Sequence, residues 1–257
     1  MTREVIMIGK LSIYGRPSLE DVRPRGLFLR PDGLTGLDGG ATVRAETVPV
    51  PGEHGEFDLP VYRGARAITI AAMGLTENTI DQGKLRADVL GVGGDGRLVT
   101  IRAEHQGQLL SCRGRIAAPP AVRDHGQSKY PFRVDYDLQF VCRDPRLYGD
   151  VHPSAAGEPA LNRGNFPAIP TIYARRVSGS GGYTITAGSG VIEVTAPLAV
   201  GATHRIDLRT GGVYAGSTRL TRAIGAFRPW TVLPGTPLVH NASAGIDLTV
   251  ETPRTYI

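Results

Sequence analysis

A chain of 257 residues with 41% apolar content has the composition of a soluble globular protein, and the lack of a run of about eighteen apolar residues excludes a helical membrane span. It fits two modest domains, each able to bury its own core. The net charge of +5 is unevenly placed, with 20 Lys+Arg against 19 Asp+Glu in residues 1–150 and 9 against 5 in residues 151–257. The basic residues stand singly, and no recognition helix, zinc knuckle or aromatic-basic platform accompanies them. No sequence-specific nucleic-acid binding is therefore expected. The N-terminus MTREVIMIGK is charged where a signal peptide has its apolar stretch, which predicts a protein folded in a cytoplasm, without membrane insertion.

In chain order, Val5 to Tyr14 alternates as a strand, and the polar stretch from Arg23 to Gly40 reads as a long loop or extended arm. Strand patterns return at Ala41 to Val50 and Ala65 to Ala71. The single helix pattern lies between Thr79 and Leu90, with Thr79 and Gln82 at capping-box spacing and Leu85 and Val89 on one face. Gly83 costs that helix about 1 kcal/mol relative to Ala, so it needs tertiary support. The glycines from Gly91 to Gly96 follow the helix instead of preceding one, so they form a turn and not a phosphate cradle.

Strand patterns at Leu98 to Ala103 and Leu109 to Ile116 lead to the clearest strand of the chain. There Phe132, Val134, Tyr136, Leu138 and Phe140 alternate with Arg133, Asp135, Asp137 and Gln139. So long a strand implies a large sheet, or one extended by a neighbouring subunit, and these five apolar residues are the candidate inter-subunit strand. Its polar face suits solvent or cross-strand ion pairs. Cys112 and Cys142 both sit in strand patterns and read as small buried hydrophobes, with a bridge open to them only if their strands are neighbours.

The stretch Asp144 to Pro159 reads as a linker or domain boundary. Beyond it, short segments cut by Gly, Pro and Asn about every ten residues predict an antiparallel β-sandwich: Ile169 to Ala174, Tyr183 to Thr186, Val191 to Thr195, His204 to Leu208, Trp230 to Leu233 and Ile246 to Val250.

No catalytic constellation stands out, and a non-enzyme is expected. There is no GxSxG elbow, the six histidines show no HxH, HxxxH or HExxH spacing, and two cysteines alone make no four-ligand metal site. No metal or cofactor is expected. Tyr183, Tyr214 and Trp230, with Tyr173, are the aromatic residues available to stack on sugar rings, and they equally suit filling a sandwich core with polar tips outward.

The region Phe140-Val141-Cys142-Arg143-Asp144-Pro145, followed by Asn162-Arg163-Gly164 and Pro167-Ala168-Ile169, resembles the inter-domain junction of the distal tail proteins of long-tailed bacteriophages, the Dit family. Ile206-Asp207-Leu208-Arg209-Thr210-Gly211 and Trp230 to Gly235 resemble later turns of the same family. The resemblance implies a mainly β protein, with a ring-forming N-terminal β domain (residues 1–152) bearing one short helix and a C-terminal galectin-like β-sandwich (residues 153–257). It implies a structural subunit of the virion: a homohexameric ring at the tail tip, assembled in the host cytoplasm. That ring would join the tail tube protein to the tail hub and a receptor-binding protein. The alternative is a carbohydrate-binding module that recognises host cell-wall glycan through the sandwich.

Overall fold

The computed structural model describes residues 4–15, 17, 25–105, 107–126 and 129–257. The chain divides into two compact units, residues 1–147 with Ile257, and Tyr148–Tyr256. It is mainly β, with one helix among the described residues.

The first unit runs β1 (Glu4–Ile8), β2 (Leu11–Tyr14), β3 (Gly26–Thr35), β4 (Val43–Arg44), β5 (Tyr62–Arg63), β6 (Arg66–Thr76), α1 (Thr79–Gly91), β7 (Val99–His105), β8 (Gln108–Ile116), β9 (Ala121–Asp124) and β10 (Phe132–Cys142). Its main sheet has the order β8-β7-β1-β2-β3-β6-β10, and a pairing of β8 with β10 closes it into a seven-stranded barrel. That seam is short, with Phe140 opposite Ile116 and Val141 opposite Arg115. Period-two alternation drives the closure: Ile6, Ile70, Ile101, Leu138 and Phe140 turn inward and are removed from water.

The strand expected to reach a neighbour is interior to its own sheet. β10 pairs with β6 over all eleven residues, from Phe132 opposite Thr76 to Cys142 opposite Arg66, and on its other side with β9 and β8. Val134, Tyr136, Leu138 and Phe140 are buried in the barrel. The length of β10 thus serves to span the barrel, and its backbone is already paired on both sides.

The polar face of β10 forms ion pairs. Asp135, only 6% exposed, accepts hydrogen bonds from Arg133 Nε (2.9 Å) and Nη2 (3.0 Å), and His125 Nε2 lies 3.2 Å away. Arg30 spans to both Asp135 and Asp137. Burial works against the charge on Asp135, but the hydrogen bonds from Arg133 and His125 outweigh it and hold the carboxyl below the usual carboxylate range.

The helix begins one residue earlier than the capping-box spacing implies. Asn78 is the N-cap, its Oδ1 accepting from Asp81 N at 2.9 Å while its Nδ2 donates to the Asp81 carboxylate at 2.8 Å. Val89 is buried against the sheet, Leu85 is partly buried, and the rest of the helix is largely exposed.

The second unit runs β11 (Leu147–Ala155), β12 (Pro159–Ala160), β13 (Thr171–Arg176), β14 (Tyr183–Ala187), β15 (Gly190–Val194), β16 (Thr203–Asp207), β17 (Gly212–Ala215), β18 (Thr218–Arg219), β19 (Ile224–Arg228), β20 (Leu238–Ala242) and β21 (Ile246–Tyr256). One sheet has the order β11-β21-β13-β16-β17-β18 and the other β12-β20-β14-β15-β19. Ile172, Ile206 and Val250 of the first meet Ile185, Ile192 and Val194 of the second in one apolar core. The supposed linker is largely β11. Trp230 to Leu233 is not a strand; it carries a single bridge, Ala168 opposite Val232.

Candidate functional site

Between β3 and β6 the chain leaves the barrel as a hairpin arm, residues 36–65. Residues 23 and 24 of the arm expected from the sequence lie outside the described residues, and most of the remainder is β3, so the expected and observed arms share only residues 36–40. Only β4 and β5 pair as strands (Val43 opposite Arg63, Arg44 opposite Tyr62), and farther out Phe57 N donates to Val48 O and Val50 N to Gly55 O. The strand expected over Ala41 to Val50 is thus mostly irregular, because prolines at 49, 51 and 60 remove ladder donors.

The arm exposes large apolar side chains. Phe57 is 52% exposed and Tyr62 59%, and Val43, Val48 and Val61 are similarly open. Between residues 45 and 61 it carries Glu46, Glu53, Glu56 and Asp58 and no Lys or Arg. A two-stranded hairpin with one layer of side chains is marginal in water, and clustered exposed apolar side chains mark interaction surfaces.

Its base is fixed. Arg66, the first residue of β6 and almost fully buried, donates from Nη1 to the carbonyls of Gly36 (2.6 Å) and Gly39 (2.7 Å), and from Nε to that of Pro145 (2.8 Å). Gly36 has φ of +90°, and a Cβ there would meet the Ala67 carbonyl oxygen at 2.0 Å. Leu37 and Ala41 are buried beside it. A rigid root under an exposed shaft is the geometry of a part that presents a surface.

In the sandwich, the three predicted sugar-stacking residues are not brought together. Tyr183 in β14 is buried, its hydroxyl 3.2 Å from His204 Nδ1. Trp230 packs on Gly190, where a Cβ would lie 2.4 Å from Cε3, and its Nε1 donates to His240 Nε2 at 2.8 Å. Tyr214 belongs to the other sheet, with the Arg205 guanidinium 4.1 Å from its ring centroid and Gly212 against its edge. Each ring has a partner within the sandwich: histidines for Tyr183 and Trp230, and Arg205 for Tyr214. Burial pushes the His240 imidazole down to about 4 and raises the Tyr183 phenol.

The junction motifs have physical reasons. Asn162 is 1% exposed; its Nδ2 donates to the carbonyls of Phe166 (2.7 Å) and Val232 (3.1 Å), and its Oδ1 accepts from Gly164 N (2.9 Å) and Thr255 N (3.3 Å). Two donors and two acceptor sites are thus all used. A Cβ at Gly164 would lie 1.9 Å from the Thr255 carbonyl oxygen, so that position takes glycine alone. Asp207 holds the β16–β17 turn by accepting from Arg209 N and Thr210 Oγ1, both at 2.9 Å.

Among the described residues no group of three or more His, Cys, Asp or Glu side chains has the geometry to hold a metal ion. An open groove beside α1, lined by Ile8, Leu11, Ala87, Asp88, Asp95 and Leu98 among others, contains neither His, Cys nor Ser.

No protein-family model and no curated protein matches the sequence. Solved structures do. The fold is similar to that of the SPP1 Dit protein, described as a paradigm of the hub adsorption apparatus of phages infecting Gram-positive bacteria. The TM-score is 0.73, covering 98% of this chain and 99% of that one at 13% identity. It is also similar to a chain of the phage p2 baseplate in its activated conformation, solved with Ca (TM-score 0.54, 9% identity, 98% of each chain) and with Sr (0.54, 9%, 97% of this chain and 98% of that one). At such identities the likeness is one of fold, and this chain is Dit-like in fold along nearly its whole length.

Proposed function

We propose that this protein is a structural subunit of a phage tail tip, assembling as a six-membered ring between the tail tube and the host-adsorption apparatus. The observation that carries this reading is the hairpin arm: a rooted projection with exposed Val43, Val48, Phe57, Val61 and Tyr62 that its own unit does not cover. The Dit-like fold supplies the context.

The barrel is closed, so copies join through side chains, not by extending β10. The arm of one copy lies on exposed apolar side chains of the next, such as Leu90 and Leu98 at the end of α1 and in the loop that follows. Such a contact joins two different surfaces, and repeating it by a fixed rotation closes a ring. The tail tube protein and the tail hub occupy the two ring faces, with a receptor-binding protein on the sandwich, and the protein resides in the virion. It acts by assembly and not by catalysis.

Electron microscopy and light scattering of the concentrated protein, or of tails containing it, are expected to give annular particles of about six times 27.4 kDa. A Phe57→Asp, Tyr62→Asp double variant should keep its circular dichroism and Tm while losing the ring. Rings unaffected by the double variant would remove the arm from the interface, and a three-fold or asymmetric particle within intact tails would overturn the six-fold ring.

A further inference from the structure

The seam that closes the barrel holds two thiols. Cys112 on β8 and Cys142 at the end of β10 are both buried and reduced, and their sulfurs stand 3.5 Å apart. Forming a bond requires the sulfurs to approach by about 1.5 Å. Gly114 makes the approach possible: a Cβ there would lie 2.9 Å from Cys142 Sγ, so the space occupied by that sulfur exists only because position 114 has no side chain.

The two thiols differ in their surroundings. The hydrogen bond between the two sulfurs holds the Cys142 thiol below its ordinary value, and the buried Arg66 charge pulls the same way against burial. That shared proton, with burial, pushes the Cys112 thiol up. Among the described residues the Arg66 guanidinium donates to backbone carbonyls and to no carboxylate.

We propose that Cys112 and Cys142 are a modification site, an intramolecular disulfide that forms on exposure to a peroxide and staples the barrel seam beside the root of the arm. The Cys142 thiolate attacks one peroxide oxygen, the O–O bond breaks, and the departing hydroxide takes a proton to become water, leaving a sulfenic acid. Cys112 sulfur then attacks Cys142 sulfur, the S–O bond breaks, and hydroxide leaves with the Cys112 proton as a second water. One peroxide is reduced by two electrons and two thiols are oxidised by two. In the tail-tip reading the bond would follow release from a reducing cytoplasm; that timing rests on the proposed function, whereas the bond itself does not.

The test uses the full chain, purified reduced, treated with a slight excess of hydrogen peroxide, then denatured, alkylated with iodoacetamide and weighed intact. The expected product is a monomer two hydrogens lighter that takes up no carbamidomethyl group, with a Cys112–Cys142 peptide pair on digestion. Its Tm should rise by about 5–10 °C, because the unfolded chain is closed into a loop, and dithiothreitol should reverse the rise. Cys142→Ser should give no bridge and no Tm rise, with Cys112 still alkylated. Two alkylated thiols in peroxide-treated wild type whose methionines have oxidised, or a bridge only between chains, would overturn the proposal. Either result would leave the six-fold ring untouched, since that reading is tested by particle symmetry.

Discussion

Arg66 and Pro145 are joined by a 2.8 Å hydrogen bond from Nε to carbonyl, and the same guanidinium reaches the carbonyls of Gly36 and Gly39. One buried cation therefore ties the root of the arm to the corner that follows β10. Burial pulls its pKa down, so the folded state bears a desolvation cost that the carbonyls offset. Replacing Arg66 by Met should deprive the carbonyls of Gly36, Leu37, Gly39 and Pro145 of this donor and destabilise the first unit by about 2–4 kcal/mol. Arg66→Lys should recover only part, since an ammonium cannot span the same fork. Urea unfolding measures the loss, and limited proteolysis should move to residues 36–65.

Asn162 completes four hydrogen bonds in a site closed to water. Asn162→Ala should cost about 2–4 kcal/mol, because two carbonyls and two amides lose their partner at once. Asn162→Asp should cost as much, since it brings a charge and removes both donors. The measurement is the Tm of the second unit followed in each variant.

His240 supplies a pH dependence with a definite sign. Its folded-state value is depressed to about 4 against 6.5 unfolded, so the unfolded chain binds the extra proton first as pH falls. Its contribution is complete above about pH 6.5, declines through the interval down to about 4, and is then flat, for a total loss of about 3 kcal/mol. Because Nε2 accepts from the Trp230 indole, protonation also breaks that bond, and the fluorescence of Trp230 should report it in the folded protein. His240→Gln should flatten both the stability profile and the fluorescence titration.

Asp135 is the common acceptor for Arg133 and Arg30 at the outer face of β10, with His125 at the same carboxylate. Asp135→Asn should destabilise the barrel by about 1–3 kcal/mol by leaving two guanidinium groups short of a partner. Guanidinium-free denaturation at low and high salt checks this: the loss should shrink as salt screens the stranded charges.

Much of this fold is written locally. The alternation from Phe132 to Cys142 marks β10, and the Asn162-Arg163-Gly164 and Asp207 to Gly211 segments mark turns, because in each case neighbouring residues decide the geometry. The helix was legible except for its cap, since Asn78 and Thr79 are both good capping residues and only the Asp81 partnership chooses between them. What pairs with β10 was not legible, because strand partners lie far apart in sequence and period two is the same for an inner strand and an edge. The arm escaped for a related reason: Ala41 to Val50 has the composition of a strand, yet Val43 and Val48 stand exposed in the folded unit. The surroundings of the sandwich aromatics were not legible, because Trp230 and Tyr183 find histidine partners whose positions, 240 and 204, carry no local signal.

The closure of the barrel at Phe140 and Ile116 has a bearing on how such a chain can evolve. Both flanks of β10 are taken up, so that strand offers newcomers no ladder of free amides and plays no part in recruiting stray chains. Any affinity it has for company is spelled in replaceable side chains. Specificity can then drift one residue at a time while the cylinder beneath stays as it is.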